Sequence, residues 1–162
     1  MVIDQMFIMV ILGQSQKISN DLRRGNHRSN DIADIISSGV SVLMSGNDSR
    51  MLKDIQPIYD KLSKINNEVF VKNGGVLGSG EFISIEADER YDGIDEEGLQ
   101  KLMLNVAALT KLLETPKGAF PTKEEKIAEK IKFILWSALM ALNHDRLASD
   151  LLKIVSKHAS KI

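Results

Sequence analysis

Residues 67–86 read NEVFVKNGGVLGSGEFISIE, and the fold class turns on whether they make a hairpin. In EVFVK, Val69 and Val71 share one face at period two, with Phe70 opposite. In EFISIE, Ile83 and Ile85 share a face, with Phe82 and Ser84 opposite. Both runs use the β-branched and aromatic residues that suit a pleated surface. Asn73-Gly74 between them is a strong turn signal, because both residues tolerate positive φ. The stretch therefore predicts two antiparallel strands around a glycine-rich tip. Two strands alone are marginal and need a third strand, a covering helix or a neighbouring molecule. The glycines do not spell a phosphate loop. Such a loop needs GxxxxGK[ST] ahead of a helix, whereas here no lysine is in place and a strand is expected next. The spacing of Gly74, Gly75, Gly78 and Gly80 does not match a dinucleotide fingerprint either.

On either side of this stretch the apolar residues recur at helical spacing. Met6, Met9, Val10 and Gly13 keep that spacing in a first helix that ends at RRGNHRSN. Ser29 or Asn30 is positioned to cap a second helix, with Ile32, Ile35, Ile36, Val40 and Leu43 as its stripe. Gly39 weakens that helix by about 1 kcal/mol relative to Ala, so close packing or a bend is expected there. Asn47 or Asp48 starts a third segment, in which Pro57 demands a kink or a fresh start. Beyond the expected hairpin, acids at 95–97 favour a helix N-terminus. Leu99, Leu102, Met103, Val106, Leu109 and Leu113 follow at core spacing. TPKGAFPT (115–122) is a loop, and Thr122 with Glu125 forms a capping box for a long helix. Asn143-His144-Asp145 separates that helix from the last one. The expected fold is mainly α (α+β): a helical bundle with a small inserted antiparallel β-lobe. Residues 1–66 supply its N-terminal helices, 67–93 the hairpin lobe and 94–162 the C-terminal helices of the same bundle.

The 162 residues suffice for one domain with a core, and 43% apolar with 27% charged residues is a globular composition. The chain has no cysteine, which excludes disulfides, thiolate metal sites and cysteine nucleophiles, and fits a cytoplasmic protein. The opening run MVIDQMFIMVIL is shorter than the roughly 20 residues a membrane span needs. It lacks the basic start and small-residue cleavage site of a signal peptide, so it reads as a helix for the core or a subunit interface. Net charge is −1, but it is unevenly spread. Residues 1–80 carry nine basic and eight acidic side chains, residues 81–97 one and eight, and residues 98–162 eleven and six.

No catalytic constellation or cofactor motif emerges. EADERYDGIDEE (86–97) fails as a calcium loop, since Arg90 and Leu99 fall where ligands belong. His27, His144 and His158 have no metal-ligand spacing, and Ser79 in LGSGE is not a nucleophile elbow. The remaining signal is basic. Arg23, Arg24 and Arg28 crowd into RRGNHRS, where guanidinium forks could meet phosphate oxygens. Lys123, Lys126 and Lys130 share a face of the long helix, partly neutralised by Glu125 and Glu129. Lys153, Lys157 and Lys161 align on the last helix, where the dipole also favours cations. The candidate nucleic-acid ligands are Arg23, Arg24, Arg28, Lys123, Lys126 and Lys130.

A β-lobe NEVFVKNGGVLGSGEFISIEADERY among helices, followed by TKEEKIAEKIKFILWSALMAL, resembles the small subunit of archaeal type I-A CRISPR surveillance complexes. The resemblance covers most of the chain as architecture and rests on no diagnostic motif. It implies a non-enzymatic subunit of an RNA-guided antiviral complex. Such a subunit associates with the other subunits and helps hold guide RNA and target DNA, with self-association as a further use of its surfaces. Base pairing would supply the specificity, so modest basic patches suffice. The competing expectation is a protein–protein adaptor or regulator with no nucleic-acid contact.

Overall fold

The computed structural model describes residues 5–72, 93–114 and 123–161. Among these residues there are six α-helices and no strand: α1 (Gln5–Leu22), α2 (His27–Ser45), α3 (Ser49–Lys72), α4 (Glu96–Leu113), α5 (Lys123–Met140) and α6 (Asp145–Ala159). A single 3-10 turn, Ala141–Asn143, joins the last two.

The inserted antiparallel β-lobe is corrected by α3, which continues to Lys72 and takes in the run expected as the first strand. A period-two pattern only three residues long does not compete with a helix already formed. Each residue added to an existing helix closes one hydrogen bond, whereas an isolated strand pair is marginal. The sequence in fact carries the helical period forward: Met51, Ile55 and Leu62 are buried, and Ile65 and Val69 follow at the same spacing. Pro57 neither ends nor restarts α3. It sits on the exposed side, where water can solvate the carbonyl that its missing N–H leaves unpaired. The Asn73-Gly74 turn, the glycine tip and EFISIE lie outside the described residues, as does TPKGAFPT with the Thr122 cap.

The central helix is α2, packed against α1, α5 and α6. Its predicted stripe of Ile32, Ile35, Ile36, Val40 and Leu43 is fully buried, and burying each such side chain stabilises by about 1.5–3 kcal/mol. The helix starts one turn earlier than its Ser29-Asn30 signal. Asn26 is the N-cap, and the Asn30 amide donates back to the carbonyls of Asn26 (2.8 Å) and Gly25 (3.3 Å). At its other end Gly46 adopts φ 82°, a left-handed cap that a side chain would strain. Gly39 packs closely on α5: a Cβ there would lie 2.9 Å from Ile134 Cγ2.

Helix polarity follows from a few contacts. α1 returns antiparallel to α2, with Ser19 Oγ 2.9 Å from Ser37 Oγ and Arg23 beside Asp34. α5 runs antiparallel to α2, since Lys130 meets Asp48 just past the end of α2 and Ile134, a turn later in α5, meets Gly39 within α2. α6 runs parallel to α2, linked at its start by Arg28 to Asp145 and lined up at its end with the segment 46–50. α4 starts beside the turn after α1, where Gly93 abuts Asn26, and is held on α1 through Asn105. That side chain donates to Asp21 Oδ2 at 2.6 Å, while the Gln14 amide donates to the Asn105 carbonyl at 3.0 Å. The bundle thus has two ends about 28 Å apart, the length of the 19-residue α2 at 1.5 Å per residue. One end gathers the α1–α2 turn and the starts of α4 and α6. The other gathers the α2–α3 turn, the start of α5 and the end of α6.

Candidate nucleic-acid interface

The two basic clusters read from the sequence fall at opposite ends of the bundle, so they cannot form one patch. At the first end, two of the three arginines serve the fold. Arg23 Nη2 donates to Asp34 Oδ1 at 2.7 Å, tying α1 to α2. Arg28 is half-buried and donates from Nε to Asp145 Oδ1 at 3.0 Å and from Nη1 to the Leu142 carbonyl at 3.1 Å. It therefore joins the start of α2 to both the 3-10 turn and α6. Hydrogen bonding and the charge of Arg28 hold the Asp145 carboxyl below its ordinary value. Arg24 is exposed, but it borders a small recess of about 170 Å³ that Asp95 and Glu97 also line, a poor surface for a polyanion.

At the second end Lys130 likewise serves the fold. Lys130 Nζ lies 2.8 Å from Oδ2 of Asp48, a buried carboxylate that needs a cation. Lys123 and Lys126 are exposed on the first turn of α5. The structure adds residues that sequence spacing did not single out. Arg50 from the first turn of α3, and Lys53 just after it, come to the end where α6 finishes with Lys157 and His158 and is followed by Lys161. A recess of about 400 Å³ opens there, lined by Gly46, Asn47, Ser49, Arg50, His158 and Lys161. His158 is buried, and its Nε2 lies 2.9 Å from Asp54 Oδ2. Hydrogen bonding by His158 pulls the Asp54 carboxyl below its ordinary value, and the charges of His158, Lys157 and Lys53 add to the effect. Arg50 and Lys161 have no carboxylate within ion-pair distance among the described residues.

Only Lys161 of these recess cations stood in a pattern visible in the sequence. Arg50 is a single arginine at the head of a helix, and its closeness to residue 161 exists only in the folded bundle. No three metal-ligating side chains converge among the described residues.

A different kind of surface lies on α1. Its buried face is Ile11, Ser15, Ile18, Ser19 and Leu22, so Met6 (73% exposed), Met9 (71%), Val10 and Leu12 point to solvent. Gly13 lies among them with open space where a Cβ would stand. On the adjoining α4, Leu104 (71% exposed) and Leu112 are also uncovered. Residues 5–16 contain no charged side chain. Among the described residues no helix is long and apolar enough to cross a membrane.

No family model, curated protein or solved structure matches the chain.

Proposed function

We propose that this chain is a non-catalytic small subunit of an RNA-guided CRISPR interference complex, docked on neighbouring subunits and stabilising bound target DNA. The observation that carries the reading is the uncovered apolar face of α1. Two methionines more than two-thirds exposed, beside Val10, Leu12 and Gly13 in an uncharged stretch, form a surface suited to a protein partner. A glycine in mid-helix costs about 1 kcal/mol relative to Ala, and nothing within the described chain uses the space at Gly13. A partner backbone approaching at that point would use it. The kind of assembly is taken from the resemblance of the helical part, TKEEKIAEKIKFILWSALMAL, since the β-lobe that also carried that resemblance is corrected by α3. Nucleic-acid contact falls to the end bearing Lys123, Lys126, Arg50 and Lys161, with Arg24 as the exposed arginine of the other end.

One observation favours the adaptor reading. Arg23 and Arg28 bind acids of their own chain and are withdrawn from phosphate recognition. Purification of the tagged protein from its native host, without nuclease, separates the two. Co-elution with CRISPR backbone subunits and repeat-derived RNA is the expected result, and a Met9→Glu variant should recover at least tenfold less of both. Partners without RNA would establish the adaptor, and full recovery by Met9→Glu would remove α1 as the docking face.

A further inference from the structure

We propose that the recess between the α2–α3 turn and the end of α6 is a binding site for a phosphomonoester, the dianionic terminal phosphate of a nucleotide or of a nucleic-acid end. The proposal is independent of membership in an RNA-guided complex. A chain that joined no such assembly could still hold the group.

Three observations converge. The recess, at about 400 Å³, has room for a phosphate with part of the sugar it carries. Its two cations come from different helices, Arg50 from the head of α3 and Lys161 from beyond the end of α6, and neither has an acidic partner among the described residues. The third basic lining group is His158, whose buried ring is fixed by Asp54 at 2.9 Å. An arginine and a lysine that line one hollow, with no acid beside either among the described residues, repel each other, and an anion between them reverses the sign of that interaction. The guanidinium fork matches two phosphate oxygens while the ammonium serves as a point charge. Asn47 and Ser49 also line the recess and bring uncharged donors to it.

The choice of a monoester over a chain phosphodiester rests on charge and shape. The Asp54 carboxylate has the His158 ring at 2.9 Å, with Lys53 and Lys157 near it. One carboxylate cannot offset both lysines, so this end keeps a positive excess that includes Arg50 and Lys161, and the charge of about −2 on a terminal phosphate at neutral pH answers more of it than the single charge of a phosphodiester does. A phosphodiester carries one negative charge and must enter and leave the site. The first turn of α3 contains no acidic residue, so the helix dipole adds to a field that the side chains already set.

The test is a titration of the isotopically labelled full chain, followed through the amides of residues 46–50 and 158. Inorganic phosphate should give saturable shifts, and the paired substitutions Arg50→Glu and Lys161→Glu should weaken binding at least tenfold. The neutral pair Arg50→Gln and Lys161→Gln supplies the same reading with less risk to folding. Lys126→Glu, at the same end but outside the recess, should leave the affinity within twofold. A loss as large in Lys126→Glu as in the paired variant would overturn the proposal in favour of a diffuse positive field, and absence of saturation would overturn it outright. The source of the group is resolved by comparing adenosine monophosphate with an oligonucleotide bearing either a 5′-phosphate or a 5′-hydroxyl. At least tenfold preference for the phosphorylated form over its hydroxyl twin is expected. Tighter binding of that form than of the mononucleotide makes a nucleic-acid end the ligand, and equal affinities make it a free nucleotide. Equal binding of the two oligonucleotides would instead assign the recess to backbone phosphates and overturn the monoester.

Discussion

A Cβ on Gly39 would stand 2.9 Å from Cγ2 of Ile134, inside the distance at which real side-chain carbons meet. Gly39 therefore sets how closely α2 approaches α5. The nearest atom belongs to a β-branched side chain, which is stiff at χ1 and itself buried.

Gly39→Ala should destabilise the protein by about 1 kcal/mol. The gain in helix propensity is about 1 kcal/mol, against about 1–3 kcal/mol for overpacking a filled core. In an Ile134→Ala background the clash disappears, and the same change should become neutral or stabilising. Denaturant unfolding of the four-member cycle measures the coupling. A stabilising Gly39→Ala in the otherwise natural chain would refute the close-packing account.

Gly13 is the opposite case, because nothing lies within 4 Å of the missing Cβ. Gly13→Ala should raise the stability of the isolated chain by up to about 1 kcal/mol through helix propensity and a less flexible unfolded chain. The same variant should dock less tightly on its partner if a helix backbone rests there. A rise in melting temperature with undiminished co-purification would leave Gly13 without a docking role.

Asp48 and Lys130 separate structural from surface lysines. Lys130→Met leaves a buried carboxylate without its cation and should cost about 1–3 kcal/mol, because the penalty falls on the unpaired acid. Lys126→Met, on an exposed site of the same helix, should stay within about 0.5 kcal/mol of the natural chain. Equal effects of the two substitutions on stability would mean that the 2.8 Å contact is not a working ion pair.

The acid limb of stability should depend on Asp54 and Asp145, whose carboxyls are held below the ordinary value of 3.8 by His158 and Arg28 respectively. A carboxyl depressed in the folded state binds its proton more readily when unfolded. Its stabilising contribution is therefore complete above the ordinary value and is lost as pH falls through the depressed one. Carboxyl-detected NMR titration should place both groups below 3.8, and Arg28→Gln should return Asp145 towards it. An Asp145 titration unmoved by that substitution would contradict the assigned cause.

Much of the bundle was legible along the chain. The α2 stripe of Ile32, Ile35, Ile36, Val40 and Leu43 is buried as its spacing predicts, as are Leu99, Leu102, Val106, Leu109 and Leu113 of α4, while Met103 of that stripe is only partly buried. The acids at 95–97 mark the start of α4 as expected, and the structure makes Asp95 its N-cap, accepting from the Gly98 N–H at 2.7 Å. Residues 68–72 were misread because Val69, Phe70 and Val71 satisfy a strand pattern too short to outweigh a growing helix. The basic candidates were misread for a different reason. A lysine or arginine in a sequence shows its charge, but not whether an acid from elsewhere in the chain already answers it.

The sequence by itself determined that most of the described chain is helical and which stripes of α2 and α4 are apolar, because the 3.6-residue period acts over a few residues. It misplaced the start of α2 and the end of α3, and did not show that Met6, Met9 and Val10 of α1 stay exposed. Only the tertiary structure decided which charges remain available. Arg28 lies 117 positions from Asp145, and His158 lies 104 from Asp54. Arg50 and Lys161 come to the same hollow from opposite parts of the chain. Pairing of this kind depends on how helices pack end to end, and no local pattern encodes it.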